Sequence, residues 1–115
     1  VRTLCSHCSQ AHPALPEVVE EMQLRRYSQI DPVMLYRPIG CEQCGGTGYK
    51  GRLSILELLV MSDAIRSLVM RHVTSNEIRQ KAIEEGMQSM YENGLHKVVA
   101  GVTTIEEVLR VTREE

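Results

Sequence analysis

The order of apolar and polar residues gives the first part of the chain a different character from the rest. Up to residue 52, four prolines and several glycines interrupt the apolar positions, which predicts turns and short extended segments. Pro16 is suitably placed as a first helical residue, because three glutamates follow it near the positive end of the helix dipole. We expect this helix to end near Arg26 and residues 33–37 to be extended.

Residues 53–61, LSILELLVM, have the most strand-like pattern in the chain. They are apolar on both alternating faces except at Ser54 and Glu57. This pattern is typical of a strand that is buried on both sides. We therefore expect a strand here, with apolar neighbours supplied to both of its faces.

Beyond residue 61 the apolar residues recur at helical spacing in four segments. In the last three, a serine or threonine is followed three residues later by a glutamate, the capping box that begins a helix. Gly86 and Gly101 are suitable ends for the second and third helices. The expected starting residues of the four helices are Ser62, Thr74, Ser89 and Thr104.

All four cysteines lie in two Cys-x-x-Cys pairs, Cys5 with Cys8 and Cys41 with Cys44. Two such pairs supply four thiolates to one tetrahedral Zn²⁺, in a closed structural site that has no open position for catalysis. The long spacer between the pairs is compatible with this, because doubling a flexible loop costs only about 0.6 kcal/mol. Structural zinc contributes about 10 to 16 kcal/mol of apparent binding free energy. We predict that these four cysteines are zinc ligands.

Two disulfides or a redox-active pair would be other uses of these cysteines. A disulfide across two residues closes too short a loop to stabilise much, and nothing in the sequence resembles a signal peptide. A thioredoxin-type site normally contains one pair, not two. His7 and His12 could each substitute for a cysteine ligand, although His7 lies inside the first pair, where its side chain should point away from the metal.

Composition makes a metal more useful to this chain. Its 115 residues include four Tyr but neither Phe nor Trp, so the core must be small and mainly aliphatic. We expect an α+β fold in two parts. Residues 1–52 would form a zinc-ribbon-like tetracysteine lobe with short strands and one helix. Residues 53–115 would form a strand and a bundle of about four helices.

Neither catalysis nor nucleic-acid binding is indicated. The net charge of -2 and the isoelectric point near 6.1 provide no basic face for nucleic acid. The sequence contains no phosphate-binding loop and no Ser/His/Asp set. Residues 45–48, GGTG, lack the Gly-Lys-Ser/Thr ending of a nucleotide loop, so we interpret them as turns beside the second cysteine pair. We therefore predict no catalytic residue and no nucleotide-binding residue.

Three segments in this order resemble one family across the whole chain. They are VRTLCxxC at residues 1–8, GCxxCxGTGYKGR at 40–52 continuing into IxELL at 55–59, and NGLxKVVAGVTTIEEVLRVT at 93–112. Together they resemble the C-terminal region of bacterial type II secretion ATPases, and the assembly ATPases of type IV pili are similar in the same places.

The resemblance implies a region of a homo-hexameric ATPase, cytoplasmic and peripheral to the inner membrane, that drives pseudopilus assembly and protein secretion. ATP and Mg²⁺ would bind only to the full-length parent, whose nucleotide-binding loop would lie upstream of Val1, so this chain alone would not be an enzyme. The implied partners are the rest of the ATPase, neighbouring subunits and inner-membrane platform proteins. Residues 53–60 would return to the RecA-like sheet of the motor domain. The four cysteines carry over as zinc ligands.

Two alternatives stay open. The parent could be a type IV pilus assembly ATPase, or the chain could be an independent zinc-ribbon module that binds protein or nucleic acid. Residues 41–48 match one Cys-x-x-Cys-x-Gly-x-Gly unit of Hsp40-type chaperones, a family that repeats the unit four times.

Overall fold

Four short strands and one short helix precede four further helices in residues 1–112, the part of the chain that the computed structural model describes. The strands are β1 (Arg2–Leu4), β2 (Gln10–Pro13), β3 (Met34–Arg37) and β4 (Tyr49–Arg52). The α-helices are α1 (Pro16–Glu21), α2 (Asp63–Met70), α3 (Ser75–Glu84), α4 (Met90–Val99) and α5 (Ile105–Thr112). Two 3-10 turns, Leu24–Arg26 and Glu42–Cys44, complete the arrangement. The predicted α+β class is confirmed.

The strands form two antiparallel two-stranded sheets. Strand β1 pairs with β4, and β2 pairs with β3. The first cysteine pair begins directly after β1, and four residues separate the end of the second pair from the start of β4. Pairing of β1 with β4 therefore brings the two cysteine pairs to the same end of one sheet.

Helix α1 begins at Pro16 as predicted but is shorter than expected. It ends at Glu21, after which Gln23 adopts a left-handed conformation with φ of 52°. The following 3-10 turn directs Leu24 into the core, where its side chain is fully buried. The predicted end near Arg26 is thus the end of this turn and not of the helix.

The predicted strand at residues 53–61 is not formed. Among the described residues, only Leu53 continues the β1–β4 pairing, through mutual backbone hydrogen bonds with Val1. Ile55 is buried, whereas Leu58 and Val60 are 75% and 71% exposed. A strand that is apolar on both faces needs cover on both sides, and the described residues supply little of it.

The hydrophobic core joins the first half of the chain to the last two helices. Leu24 and Val33 pack there with three residues of α4 and α5, namely Leu95, Val98 and Val108. Gly94 permits the close approach of the two helices, because a Cβ at this position would lie 2.7 Å from Val108 Cγ1. Helices α2 and α3 contact chiefly each other. The four predicted helices therefore pack as two pairs.

The predicted helix starts are confirmed by their caps. The hydroxyls of Ser62, Thr74 and Ser89 each accept a hydrogen bond from the backbone N–H three residues later, and Ser89 forms the complete capping box. Gly86 and Gly101 follow α3 and α4 with φ of 102° and 82°, the left-handed conformation expected just beyond a helix end.

Candidate metal centre

The side chains of the four cysteines converge on one point. The Sγ–Sγ distances are 3.8 Å from Cys5 to Cys41, 3.9 Å from Cys8 to Cys44 and 3.8 Å from Cys41 to Cys44. All four sulfurs lie within 4.8 Å of one another. All four cysteines are free, so the sulfurs are not joined as disulfides.

These distances fit a tetrahedral metal ion. Four sulfurs placed about 2.3 Å from a Zn²⁺ at tetrahedral angles are about 3.8 Å apart. The donor set, four thiols with no carboxylate, is also one that zinc prefers. The arrangement therefore has the geometry and the ligand chemistry of a closed structural site.

Backbone N–H groups point at two of the sulfurs. Gly40 donates to Cys8 Sγ at 3.3 Å, while Cys41 and Gly48 donate to Cys44 Sγ at 3.3 and 3.1 Å. Such hydrogen bonds orient a thiolate and stabilise its negative charge. The turns around the second cysteine pair thus position ligands from both pairs.

Two of the glycines in these turns have no room for a side chain. Gly40 has φ of 103°, and a Cβ there would lie 2.6 Å from the carbonyl oxygen of Gly46. Gly48 has φ of 83°, and its Cβ would lie 2.3 Å from Pro38 Cβ. The sequence predicted tight turns after Cys44, but it gave no sign of the role of Gly40 as a donor to Cys8.

The environment shifts two of the thiol pKa values in opposite directions. Burial raises the pKa of Cys44, but the N–H groups of Cys41 and Gly48 outweigh this effect and lower it from 9.0 to about 6. Burial raises the pKa of Cys8 to about 11, even though the N–H of Gly40 opposes the change. Two neighbouring sulfurs resist sharing negative charge unless a cation lies between them, and a bound divalent cation deprotonates its thiol ligands.

The histidines do not join the cluster. His7 is exposed. His12 is half-buried, with Nδ1 3.2 Å from the carbonyl oxygen of Pro13. Within residues 1–112, the group of potential metal ligands at this site consists of the four cysteines and includes no histidine or carboxylate.

A polar cluster around a buried carboxylate, Glu107, was not predicted from the sequence. The Glu107 side chain is 1% exposed and accepts hydrogen bonds from the guanidinium groups of Arg2 and Arg110. Burial raises the pKa of Glu107, but the two arginines outweigh it, so the pKa lies below the usual value of 4.5. The capping pattern assigned Glu107 a local role, and nothing in the sequence signals its pairing with a residue 105 positions away.

Comparison with known proteins identifies the family of the chain. The model of the type II/IV secretion system protein family matches residues 1–110. The chain belongs to this family. The resemblance of the three sequence segments is thereby confirmed.

Its relatives serve two kinds of machinery. The chain is 46% identical to the type II secretion system protein E of Xanthomonas campestris pv. campestris, over 99% of this chain and 20% of that protein. It is 43% identical to the type IV pilus assembly ATPase PilB of Thermus thermophilus, over 99% and 13%. It is 38% identical to the type II secretion system ATPase E of Vibrio cholerae, over 99% and 22%. The chain thus spans about a fifth or less of the length of these relatives.

Helices of the described residues are short. The longest, α3 and α4, have 10 residues each, and no helix in residues 1–112 has the length and apolar character needed to cross a membrane.

Proposed function

We propose that this chain is the zinc-stabilised C-terminal region of a hexameric ATPase that powers type II protein secretion by driving pseudopilus assembly. The observation that carries the proposal is the tetrahedral spacing of four sulfurs in a chain of this family. The role of the region is structural, and it couples the motor to its partners by holding a lobe against the motor or a platform protein. ATP hydrolysis, with its Mg²⁺, takes place in other parts of the parent protein.

The ligands of the Zn²⁺ would be Cys5, Cys8, Cys41 and Cys44. The ion supplies a crosslink between the two ends of residues 1–52, and four protein ligands leave no coordination position for a substrate. Residues 1–52 form the metal lobe in this proposal, and residues 53–115 form the second part. The core residues Leu24 and Val33 on one side, and Leu95 on the other, then attach the lobe to the C-terminal helices.

The exposed segment 53–61 would contact the rest of the ATPase. Val1 and Leu53 exchange backbone hydrogen bonds of 2.9 and 2.8 Å, as neighbours in an antiparallel pair do. In a longer family member, the residues before Val1 would continue this pairing alongside residues 54–60. The segment would then enter the RecA-like sheet of the motor domain, which would cover both of its apolar faces.

The wider setting follows from the same assignment. The other partners would be neighbouring subunits of the homo-hexamer and platform proteins at the cytoplasmic face of the inner membrane. A type IV pilus assembly ATPase is a second candidate for the parent, because the relative from Thermus thermophilus is 43% identical and carries that name. Membership of the family gives no support to an independent zinc-ribbon module.

Metal analysis of the purified 115-residue chain tests the proposal. We expect one zinc per chain by inductively coupled plasma mass spectrometry, and loss of part of the folded circular dichroism signal when a strong chelator removes the metal. A metal-free chain whose fold depends on oxidised cysteines would overturn the proposal. Measurable ATP turnover by this chain alone would contradict the assignment of catalysis to other parts of the parent.

A further inference from the structure

Glu107 is a buried carboxylate that the capping of α5 does not explain. Its backbone N–H is bonded to Thr104 Oγ1 at 3.2 Å, as in other helix caps, but its carboxylate does not return to the cap. It accepts instead from Arg2 of β1 through one oxygen and from Arg110 through the other. A buried charge persists only when it is paired, so this carboxylate keeps Arg2 and α5 together.

Arg2 connects this carboxylate to β4, the partner strand of β1. Its guanidinium carbon lies 4.2 Å from the centroid of the Tyr49 ring, a cation–π contact. The Tyr49 hydroxyl lies 3.0 Å from Thr104 Oγ1, at the start of α5. Arg2, Tyr49 and Glu107 therefore link β1, β4 and α5 to one another through side chains.

Backbone hydrogen bonds continue the connection to the sulfurs. Leu4 N donates to Val102 O at 2.8 Å, and Thr103 Oγ1 donates to Arg2 O at 2.7 Å, so the loop before α5 holds β1 along its length. The next residue, Cys5, donates its N–H to Gly48 O at 2.9 Å, and Gly48 N donates to Cys44 Sγ. Both strands that adjoin the cysteine pairs are thus fixed against the start of α5.

We propose that Glu107 is a positioning residue for the metal centre, which acts by holding β1 and β4 against α5. Binding of the metal and docking of α5 then stabilise each other, since a coupling between two sites is reciprocal. This inference rests on the proposed function, because it takes Zn²⁺ as the metal. Zinc binding would then stabilise the position of α5 as well as the lobe that contains the ligands.

The zinc dissociation constant of the 115-residue chain tests the inference, measured by competition with a chromophoric chelator. Glu107→Gln keeps the shape of the side chain but removes its charge, and we expect zinc to bind on the order of tenfold more weakly. Glu92→Gln is the matched control, since Glu92 also sits three residues after a helix cap and contacts an arginine, Arg26, but not β1 or β4. This control should bind zinc as the wild type does.

Two further measurements do not depend on the stability of Glu107→Gln. Tyr49→Phe keeps the ring under Arg2 and removes only the hydroxyl bonded to Thr104, so we expect a smaller loss of zinc affinity, about threefold. In the wild type, amides of residues 105–112 should lose protection from hydrogen exchange when zinc is removed by a chelator. The protection of residues 105–112 should decrease together with that of residues 49–52. It should decrease more than the protection of residues 75–84.

Three outcomes would overturn the inference: wild-type zinc affinity in both Glu107→Gln and Tyr49→Phe, an equal loss in Glu92→Gln, or unchanged protection of residues 105–112. Each of them is observed with a wild-type chain that binds one zinc, so the proposed function would stand. Absence of zinc binding in the wild type would instead overturn both.

Discussion

Backbone hydrogen bonds position three of the four cysteines of the candidate metal centre. Cys5 N is bonded to Gly48 O, and the sulfurs of Cys8 and Cys44 each accept backbone N–H groups. The turns next to the cysteines therefore orient the ligand side chains, which favours metal binding without rearrangement of the backbone. Loss of one ligand or of one turn should affect the whole site.

We predict that Cys41→Ser lowers the free energy of unfolding by several kcal/mol. The reason is that a site with three thiolates loses a large share of the roughly 10 to 16 kcal/mol that structural zinc contributes. Thermal melting with one equivalent of zinc measures the effect, and Cys5→Ser should behave alike. With excess chelator the wild type should lose its advantage. Equal melting of variant and wild type in the presence of zinc would contradict the prediction.

Gly48→Ala should destabilise the chain more than Gly86→Ala. Both glycines have φ near 80 to 100°, so each substitution carries a conformational penalty of about 1 kcal/mol. Only at Gly48 would the new methyl group also meet Pro38, at 2.3 Å, whereas nothing lies within 4 Å of the position at Gly86. We expect the overlap to add roughly 1 to 3 kcal/mol in urea denaturation of the zinc-loaded chain. Similar losses at the two positions would show that the turn relaxes.

At the scale of helices and strands, local patterns predicted more than long-range ones. The starts of α2, α3 and α4 follow from hydroxyl caps that act within three residues, so the sequence contains the whole signal. The convergence of the four cysteines was predictable for a different reason, since their spacing is itself a known ligand pattern. The pairing of Arg2 with Glu107 was not predictable, because it depends on where the packing of α4 and α5 places the last helix.

The contact between β1 and α5 should depend on pH through Glu107. Its pKa lies below 4.5 in the folded chain because the arginines outweigh its burial, so the folded state favours the charged form. The stability that Glu107 contributes is therefore fully present above the unfolded pKa, and it is lost as pH falls through the lower folded pKa.

Urea denaturation of the wild type and of Glu107→Gln from pH 7 to pH 3.5 checks this sign. The difference in unfolding free energy should stay constant down to about pH 5 and shrink below it. Glu92→Gln gives the comparison for a more exposed glutamate. A difference that grows towards acid pH would mean that burial, and not the arginines, determines the pKa.

At the scale of the whole molecule, the described chain has a well-packed end and an open one. Residues 1–52 share a core with α4 and α5, whereas residues 53–61 and the α2–α3 pair have few buried side chains. The apolar pattern of residues 53–61 correctly indicated a need for burial on both faces. It was wrong as a prediction of a strand, because a strand forms only when another one supplies its hydrogen bonds. In the proposed setting, the rest of the ATPase would supply the strand that this pattern requires.

The exposed segment should make the isolated chain self-associate. Leu58 and Val60 have 75% and 71% of their surfaces exposed, in a mostly apolar segment that belongs to no strand. Exposed apolar surface of this kind associates with other copies of the chain when its natural cover is missing. Sedimentation velocity of the zinc-loaded chain should therefore show dimers or larger species as concentration rises. Leu58→Lys with Val60→Lys should shift the chain towards the monomer.

Met70→Lys is the matched control, because Met70 is an equally exposed apolar residue, 73%, on α2 and outside the segment. Met70→Lys should leave the association unchanged, because Met70 lies on a helix and outside residues 53–61. A wild-type chain that stays monomeric at about 100 μM would contradict the assignment of residues 53–61 as a surface that the rest of the protein covers. Equal dissociation by Met70→Lys would place the association on the helices instead. If the double lysine variant alone is monomeric and binds one zinc, the metal lobe folds independently of that cover.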